Sequence, residues 1–299
     1  MGRKGISAAD LVALALKFYR PLRIKTSLWR PGFDAIGELV RLVKGVVGEG
    51  DVLVLSEKAL SVAKGLVFDE ASIKPSRLSQ VYTCLLMRWI WGYLLGPICK
   101  LKPQTLSWIR GYMIKEGARH KQLAIRVGGP LEALKPSSEA GIDASNLPFS
   151  LVALPLNDAK AAAGEVRRRL MEEAGVDVTV VVVDSDRLYQ HRRLDFALTS
   201  RRTSVKLGVY MGPLSLIVGR VFRGSFTPLA TPLAVDGPPL NKWLLLGLAE
   251  VADRVRGFGA GRTAFDAARR LGAPVDKVTW SMLERVPHYP AVLFKLRRS

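Results

Sequence analysis

Residues 178–186 read VTVVVVDSD, and the fold turns on how this stretch is taken. Val178, Thr179 and the four valines that follow are all β-branched, with no polar position alternating among them. Such a run predicts a strand buried on both faces, as in a sheet covered by helices on either side. It is expected to stop at Asp184-Ser185-Asp186. The carboxyl end of a strand in an α/β sheet is where ligands bind. Two carboxylates and a hydroxyl there make a candidate divalent-cation site, because Mg²⁺ takes one or two carboxylates and completes its shell with phosphates and water. Taken alone, Asp-Ser-Asp also fits a solvated turn or a helix cap.

Working outward, Val52-Leu53-Val54-Leu55 is a second short strand of the buried type. It follows the turn at Gly50-Asp51 and ends at Ser56-Glu57-Lys58. Asn157 and Asp158 are good caps for a helix over 159–174, which Gly175 stops. Further strands are expected at 204–210 and 214–218, and helices at 242–256 and 263–271. The N-terminus reads as an amphipathic helix over 1–20, with no small-residue cleavage site to make it a signal peptide. Residues 72–118 read as helical, broken at Pro75, Pro97 and Pro103. Strands and helices mix throughout, so the class is α/β (α+β), with mixed sheets and flanking helices. The expected division is a helical extension over 1–22, a main unit over 23–235 with a helical insertion at about 72–118, and a helical/αβ part of the same fold over 236–299.

The chain has 299 residues, with 45 Lys plus Arg against 26 Asp plus Glu, a formal charge of +19. Apolar residues make up 48%, which excludes a mainly disordered chain. The two cysteines, Cys84 and Cys99, form no CxxC and no Cys/His cluster. Buried, inert thiols in a reducing cytoplasm are the expectation. The positive charge suits polyanionic partners: nucleotides, nucleic acid or acidic small molecules. Residues 81–99 have nearly the length of a membrane span, but Arg88 near their middle costs about 2.5–3.5 kcal/mol. A buried or interface helix is favoured, membrane contact is disfavoured, and Trp89, Trp91 and Tyr93 suit a dimer surface.

Three more features bear on chemistry. In Gly141-Ile142-Asp143-Ala144-Ser145-Asn146, Asp143 could hold Mg²⁺ or Mn²⁺ and Asn146 could meet a phosphate or base, and the same residues also suit an Asx turn. The Gly257-Phe258-Gly259-Ala260-Gly261-Arg262 loop could cradle a phosphate on backbone N–H groups, or be a plain helix–helix turn. Arg167-Arg168-Arg169, Arg192-Arg193 and Arg201-Arg202 could grip phosphates, although the first lies on a helix and its members point apart. His120, between Arg119 and Lys121, is expected to resist protonation. No Walker A, HExxH or GxSxG occurs.

Two of these stretches carry a resemblance. GDVLVLSEKALSVAKG at 50–65 is similar to the GDVLVVxSKxxSKAEG segment of the coenzyme F420-0:L-glutamate ligase (F420-0:γ-glutamyl ligase) family, and AGIDASN at 140–146 resembles its NAGIDxSN. A Pro/Asp loop, an Arg-rich helix and a valine strand ending in an acid follow in the family's order. The resemblance spans roughly 28–186. It implies the family's mixed α/β fold, homodimers, GTP as co-substrate and a Mg²⁺ or Mn²⁺ cofactor. The implied activity is an amide ligase that adds glutamate to F420-0 or a related phosphorylated carboxylate through an acyl phosphate. It also implies metal ligation by Asp143 and Asp184, with Ser185 or Asp186 as accessory ligand, and nucleotide contacts at Ser56, Lys58 and Asn146. Val62, Lys64 and the absence of the family's Gly-Arg after the strand mark a divergent, archaeal-type branch. Loss of that motif keeps a second expectation open: a diverged member that binds RNA or another anion.

Overall fold

The computed structural model describes residues 5–297. One seven-stranded sheet organises them. Its strands are β1 (Tyr19–Thr26), β2 (Val52–Ser56), β5 (Thr179–His191), β6 (Ala197–Thr199), β7 (Gly208–Tyr210), β8 (Phe226–Asp236) and β9 (His288–Leu296). A two-stranded sheet pairs β3 (Val67–Asp69) with β4 (Leu151–Ala153). The helices are α1 (Ala8–Phe18), α2 (Ala35–Val43), α3 (Glu57–Ala63), α4 (Arg77–Val81), α5 (Gly96–Ile98), α6 (Pro103–Arg110), α7 (Ile114–Gly128), α8 (Ala159–Ala174), α9 (Pro213–Val221), α10 (Lys242–Arg256), α11 (Ala264–Leu271) and α12 (Trp280–Leu283). Between α4 and α5 the chain winds as a π-helix over Tyr82–Leu95. Of the two thiols expected to be buried, Cys99 is, but Cys84 is exposed, because the π-helix presents it on its outer side.

The main sheet runs β1-β9-β2-β5-β6-β7, with β8 on the other edge of β5. β2 and β5 are parallel, and β9 is antiparallel to both β1 and β2. The alternation of side chains explains the unbroken apolar runs. Leu53, Leu55, Val180 and Val182 pack on one face against α2 and α8, and Val52, Val54, Val181 and Val183 pack on the other against α10. Both faces are covered there, so no position of 52–55 or 180–183 has reason to be polar.

β5 does not stop at Asp184. It continues to His191, with an irregularity in its pairing to β8 between Asp184, which faces Thr231, and Arg187, which faces Ala230. β2 covers the first half of one edge and β6 the second. The N-terminal helix occupies Ala8–Phe18 and gives way at Tyr19 to β1, while residues 1–4 lie outside the described residues.

The strand expected at 214–218 is instead helix α9. Gly212 takes a φ of 52° and Pro213 opens the helix, where its missing N–H costs nothing. A short apolar run does not by itself distinguish a strand from a helix, and here the flanking Gly-Pro decides. Of the strand expected at 204–210, only Gly208–Tyr210 forms.

α1 lies on α10 with almost no gap, because Gly247 meets the Leu11 carbonyl oxygen and Ala15. Any Cβ at 247 would collide with that backbone atom. Gly247→Val is expected to lower stability by about 1–3 kcal/mol through overpacking, read as a reduced denaturation midpoint with an unchanged m-value.

Candidate active site

The parallel register sets Ser56 beside Val183. Ser56-Glu57-Lys58 and Asp184-Ser185-Asp186 therefore leave the sheet at the same end. A third segment reaches them from the small sheet, where the Asp143 backbone exchanges hydrogen bonds of 3.1 and 2.9 Å with Ala153. These segments and the loop after α10 enclose a cavity of about 330 Å³. Ser56, Lys58, Asp143, Asn146, Asp184, Ser185 and Asp186 all line it.

Few of these side chains are idle. Lys58 Nζ donates to Asp143 Oδ1 at 3.0 Å, to Ser145 Oγ at 2.7 Å and to the Ser145 carbonyl. Burial lowers the Lys58 pKa, while the charges of Asp143 and Asp184 act against that. The same Asp143 oxygen accepts the Ser145 N–H at 2.7 Å, an Asx turn. Burial opposes ionisation of Asp143, but Lys58 and that N–H hold its carboxyl below the usual range. Ser56 caps α3 by accepting the Ala59 N–H at 3.5 Å.

Asp184 is held by Arg201, whose other guanidinium nitrogen donates to Glu57 Oε1 at 2.7 Å. Burial pushes the Asp184 carboxyl up to about 8 against the pull of Arg201, with Asp186 and Glu57 adding repulsion. Arg201 is thus a buried tie, not a free phosphate grip, and it packs so closely on Gly141 that a Cβ there would strike it. Gly141 also has a φ of +78°, so glycine is required twice over. Arg202 stacks on Tyr210 at 4.9 Å instead of facing the cavity. Arg167, Arg168 and Arg169 diverge to Asp177, Glu172 and Glu173. Arg187 pairs with Glu250 at 2.6 Å and Asp253 at 3.0 Å.

Asp186 Oδ2 is buried with no hydrogen bond, 3.5 Å from Lys135 Nζ. Ser185 Oγ turns away and donates to Asp253 Oδ1 at 2.8 Å. Among the described residues no three His, Cys, Asp or Glu side chains converge as a metal cage. What the site offers is Asp184 and Asp186 with one orphaned carboxylate oxygen. That hard-oxygen set is of the size Mg²⁺ uses when phosphates and water supply the rest.

Asn146 spends its amide on the loop after α10. Its Oδ1 accepts the Ala260 and Gly261 N–H groups, and its Nδ2 donates to the Phe258 and Gly261 carbonyls at 3.1 and 3.2 Å. Those N–H groups, expected to cradle a phosphate, are already taken. Two cavity residues escaped the sequence reading. Arg256 lines the cavity with an 8% exposed side chain, and its one ion pair among the described residues, to Asp253, is long at 3.5 Å. Its place just before the glycine loop was the available signal. His288 also lines the cavity, with Nδ1 2.9 Å from the Ser27 carbonyl. Thr26 Oγ1 lies 2.8 Å from the same nitrogen and itself donates to the Ser27 carbonyl; a proton on Nδ1 satisfies both oxygens, and that tautomer leaves Nε2 as a base. Burial lowers the His288 pKa. Nothing in the residues around position 288 announces this.

A model of the F420-0:Gamma-glutamyl ligase family matches residues 23–200. The chain belongs to that family. It is 32% identical over 298 residues to Uncharacterized protein MJ1361 of Methanocaldococcus jannaschii, covering 93% of this chain and 97% of that protein. It is also 28% identical over 161 residues to Coenzyme F420:L-glutamate ligase of Methanopyrus kandleri, covering 52% of this chain and 55% of that protein. The match to the F420-0:γ-glutamyl ligase family takes in Lys58, Asp143, Asn146 and Asp184 and stops one residue short of Arg201, whereas Arg256 and His288 lie well beyond it.

His120 behaves opposite to the sequence expectation. Its neighbours in space are acids, not Arg119 and Lys121: Nδ1 lies 2.6 Å from Glu70 and Nε2 3.0 Å from Glu139. Burial opposes the charge, but Glu139 and Glu70 raise the His120 pKa from 6.5 to about 10. Glu139 also accepts from the wholly buried Lys121 at 2.6 Å. A raised histidine pKa gives stability that is fully present below 6.5 and is lost as pH climbs towards about 10. His120→Gln is expected to be less stable at pH 6 by about 3–5 kcal/mol, as for a broken buried ion pair. Its denaturation midpoint should then change less than the wild type's as pH rises above 6.5.

Proposed function

We propose that the cavity is the active site of a nucleotide-dependent acid–amine ligase. It joins glutamate or a similar amino acid to F420-0 or a related phosphorylated carboxylate, with GTP as phosphoryl donor and Mg²⁺ or Mn²⁺ as the required ion. The observation that carries this reading is the meeting of two parallel strand ends and the 141–146 loop around one cavity, within the family match. In the reaction the substrate carboxylate takes the γ-phosphoryl group, giving an acyl phosphate and a nucleoside diphosphate. The amine of the amino acid then attacks the acyl carbon, phosphate leaves, and the amine loses a proton.

Asp184 and Asp186 would hold the ion, with Asp143 across the cavity. Bound there, it supplies neutralisation of phosphate charge in phosphoryl transfer. Lys58 favours the ionised form of Asp143, and Arg201 holds Asp184 in place. Arg256, a buried cation on the wall, suits the nucleotide's phosphates. Asn146 fixes the glycine loop that closes the site. His288 Nε2 suits the role of the base that takes the amine proton, because the Ser27 carbonyl fixes its tautomer.

Two measurements test this. Calorimetry with GTP and Mg²⁺ should show binding that needs the metal and weakens about 10–100-fold in Asp186→Asn. Unchanged, metal-independent affinity in that folded variant refutes the site. His288→Gln should leave nucleotide affinity intact and lower kcat by about 10²–10⁴. The wild-type rate should hold at neutral pH and fall only below 6.5, as the depressed His288 pKa is crossed and the base is protonated. The variant should lack that limb.

A further inference from the structure

The helical insert carries chemistry that the ligase reading does not use. From 71 to 115 the sequence contains no Asp or Glu. Lys74, Arg77, Lys100, Lys102, Arg110 and Lys115 are all exposed, and none forms an ion pair among the described residues. The rod formed by α4, the π-helix and α5 has two stripes. Ser79, Thr83, Met87 and Trp91 are buried against the protein, and the Trp91 indole donates to the Leu134 carbonyl at 2.8 Å. Trp91 therefore belongs to the inner face and not to an outer aromatic surface. The outer stripe is Leu78, Val81, Leu85, Trp89 and Tyr93, all exposed, with Trp89 at 60% and Tyr93 at 56%.

We infer that this outer face is a peripheral docking surface for a bilayer rich in anionic lipid. An apolar stripe bearing Trp and Tyr, on an insert whose exposed charges are all lysine and arginine and whose Arg110 lies over the Tyr93 ring at 4.5 Å, is matched to the boundary between headgroups and acyl chains. The cations complement acidic headgroups. The sequence argument against a membrane span, Arg88 in mid-segment, does not touch a rod that lies on the surface. Arg88 reaches inward, where its Nε donates to the Tyr112 carbonyl at 2.8 Å. Among the described residues no helix is long and apolar enough to cross a membrane. A second copy of the chain is a poorer occupant, because a two-fold contact would set an insert with no Asp or Glu from 71 to 115 against itself. RNA is poorer too, since Leu78, Val81 and Leu85 offer no ring on which bases stack.

The test is flotation of the full-length protein with phosphatidylcholine vesicles, with and without phosphatidylglycerol. The protein should float only with the anionic vesicles and be released as salt is raised. The double variant Trp89→Ser/Tyr93→Ser, altered at two exposed positions, should keep the wild-type circular dichroism and bind the anionic vesicles about tenfold more weakly. Three results overturn the inference: wild-type protein that stays unbound with anionic vesicles, a double variant that floats as well as wild type, or a dimer in light scattering that the double variant abolishes.

Discussion

Arg201 has to satisfy two carboxylates at once, and the shape of the site follows from that requirement. Its guanidinium is out of water and holds Glu57, at the start of α3, and Asp184, in β5. Glu57 in turn accepts the Leu156 N–H at 3.0 Å, and Gly141 is bare so that the guanidinium can lie against it. One cation thus ties the exits of both parallel strands to the loop bearing Asp143 and to the segment after β4. Charges taken out of water are costly unless their partners are complete, so the arrangement has little freedom to loosen.

A second set of ties works on the other wall. Asn146, with a φ of 54°, turns its amide onto the loop after α10, and Gly259, at +56°, leaves room for it. Lys58 fastens Asp143 and Ser145 to α3. The loop from 138 to 150 is therefore gripped from three directions, and Ser138, Ala140, Asn146 and Ser150 all sit at positive φ within it. Backbone of that kind persists only where its surroundings overdetermine it.

Much of this was legible beforehand, for identifiable reasons. The valine run and VLVL were readable as buried strands because both faces of the sheet are covered. α8 was readable because Asp158 and Gly175 mark its ends chemically. Other features depend on residues far apart in the chain. His120 sits between two cations in sequence but between Glu70 and Glu139 in space, so its charge state followed the fold and not its neighbours. Arg201 looked like half of a phosphate-gripping pair, and only the fold reveals its two acids. The apolar run at 214–218 satisfies a strand and a helix equally, and Pro213 after Gly212 tipped it. Ser185 and Asn146 were recognised as site residues, but their hydrogen bonds go to protein partners 68 and 114 positions away.

The break in pairing between β5 and β8 has one more implication. Ser185 and Asp186 have no registered partners on β8, and regular pairing resumes at Arg187. Side chains alternate along a strand, so losing one codon here would swing Arg187, Leu188 and every later residue of β5 to the opposite face. A whole turn could be cut from an outlying loop with less harm. Over lineages, this short segment should change by replacement and almost never in length.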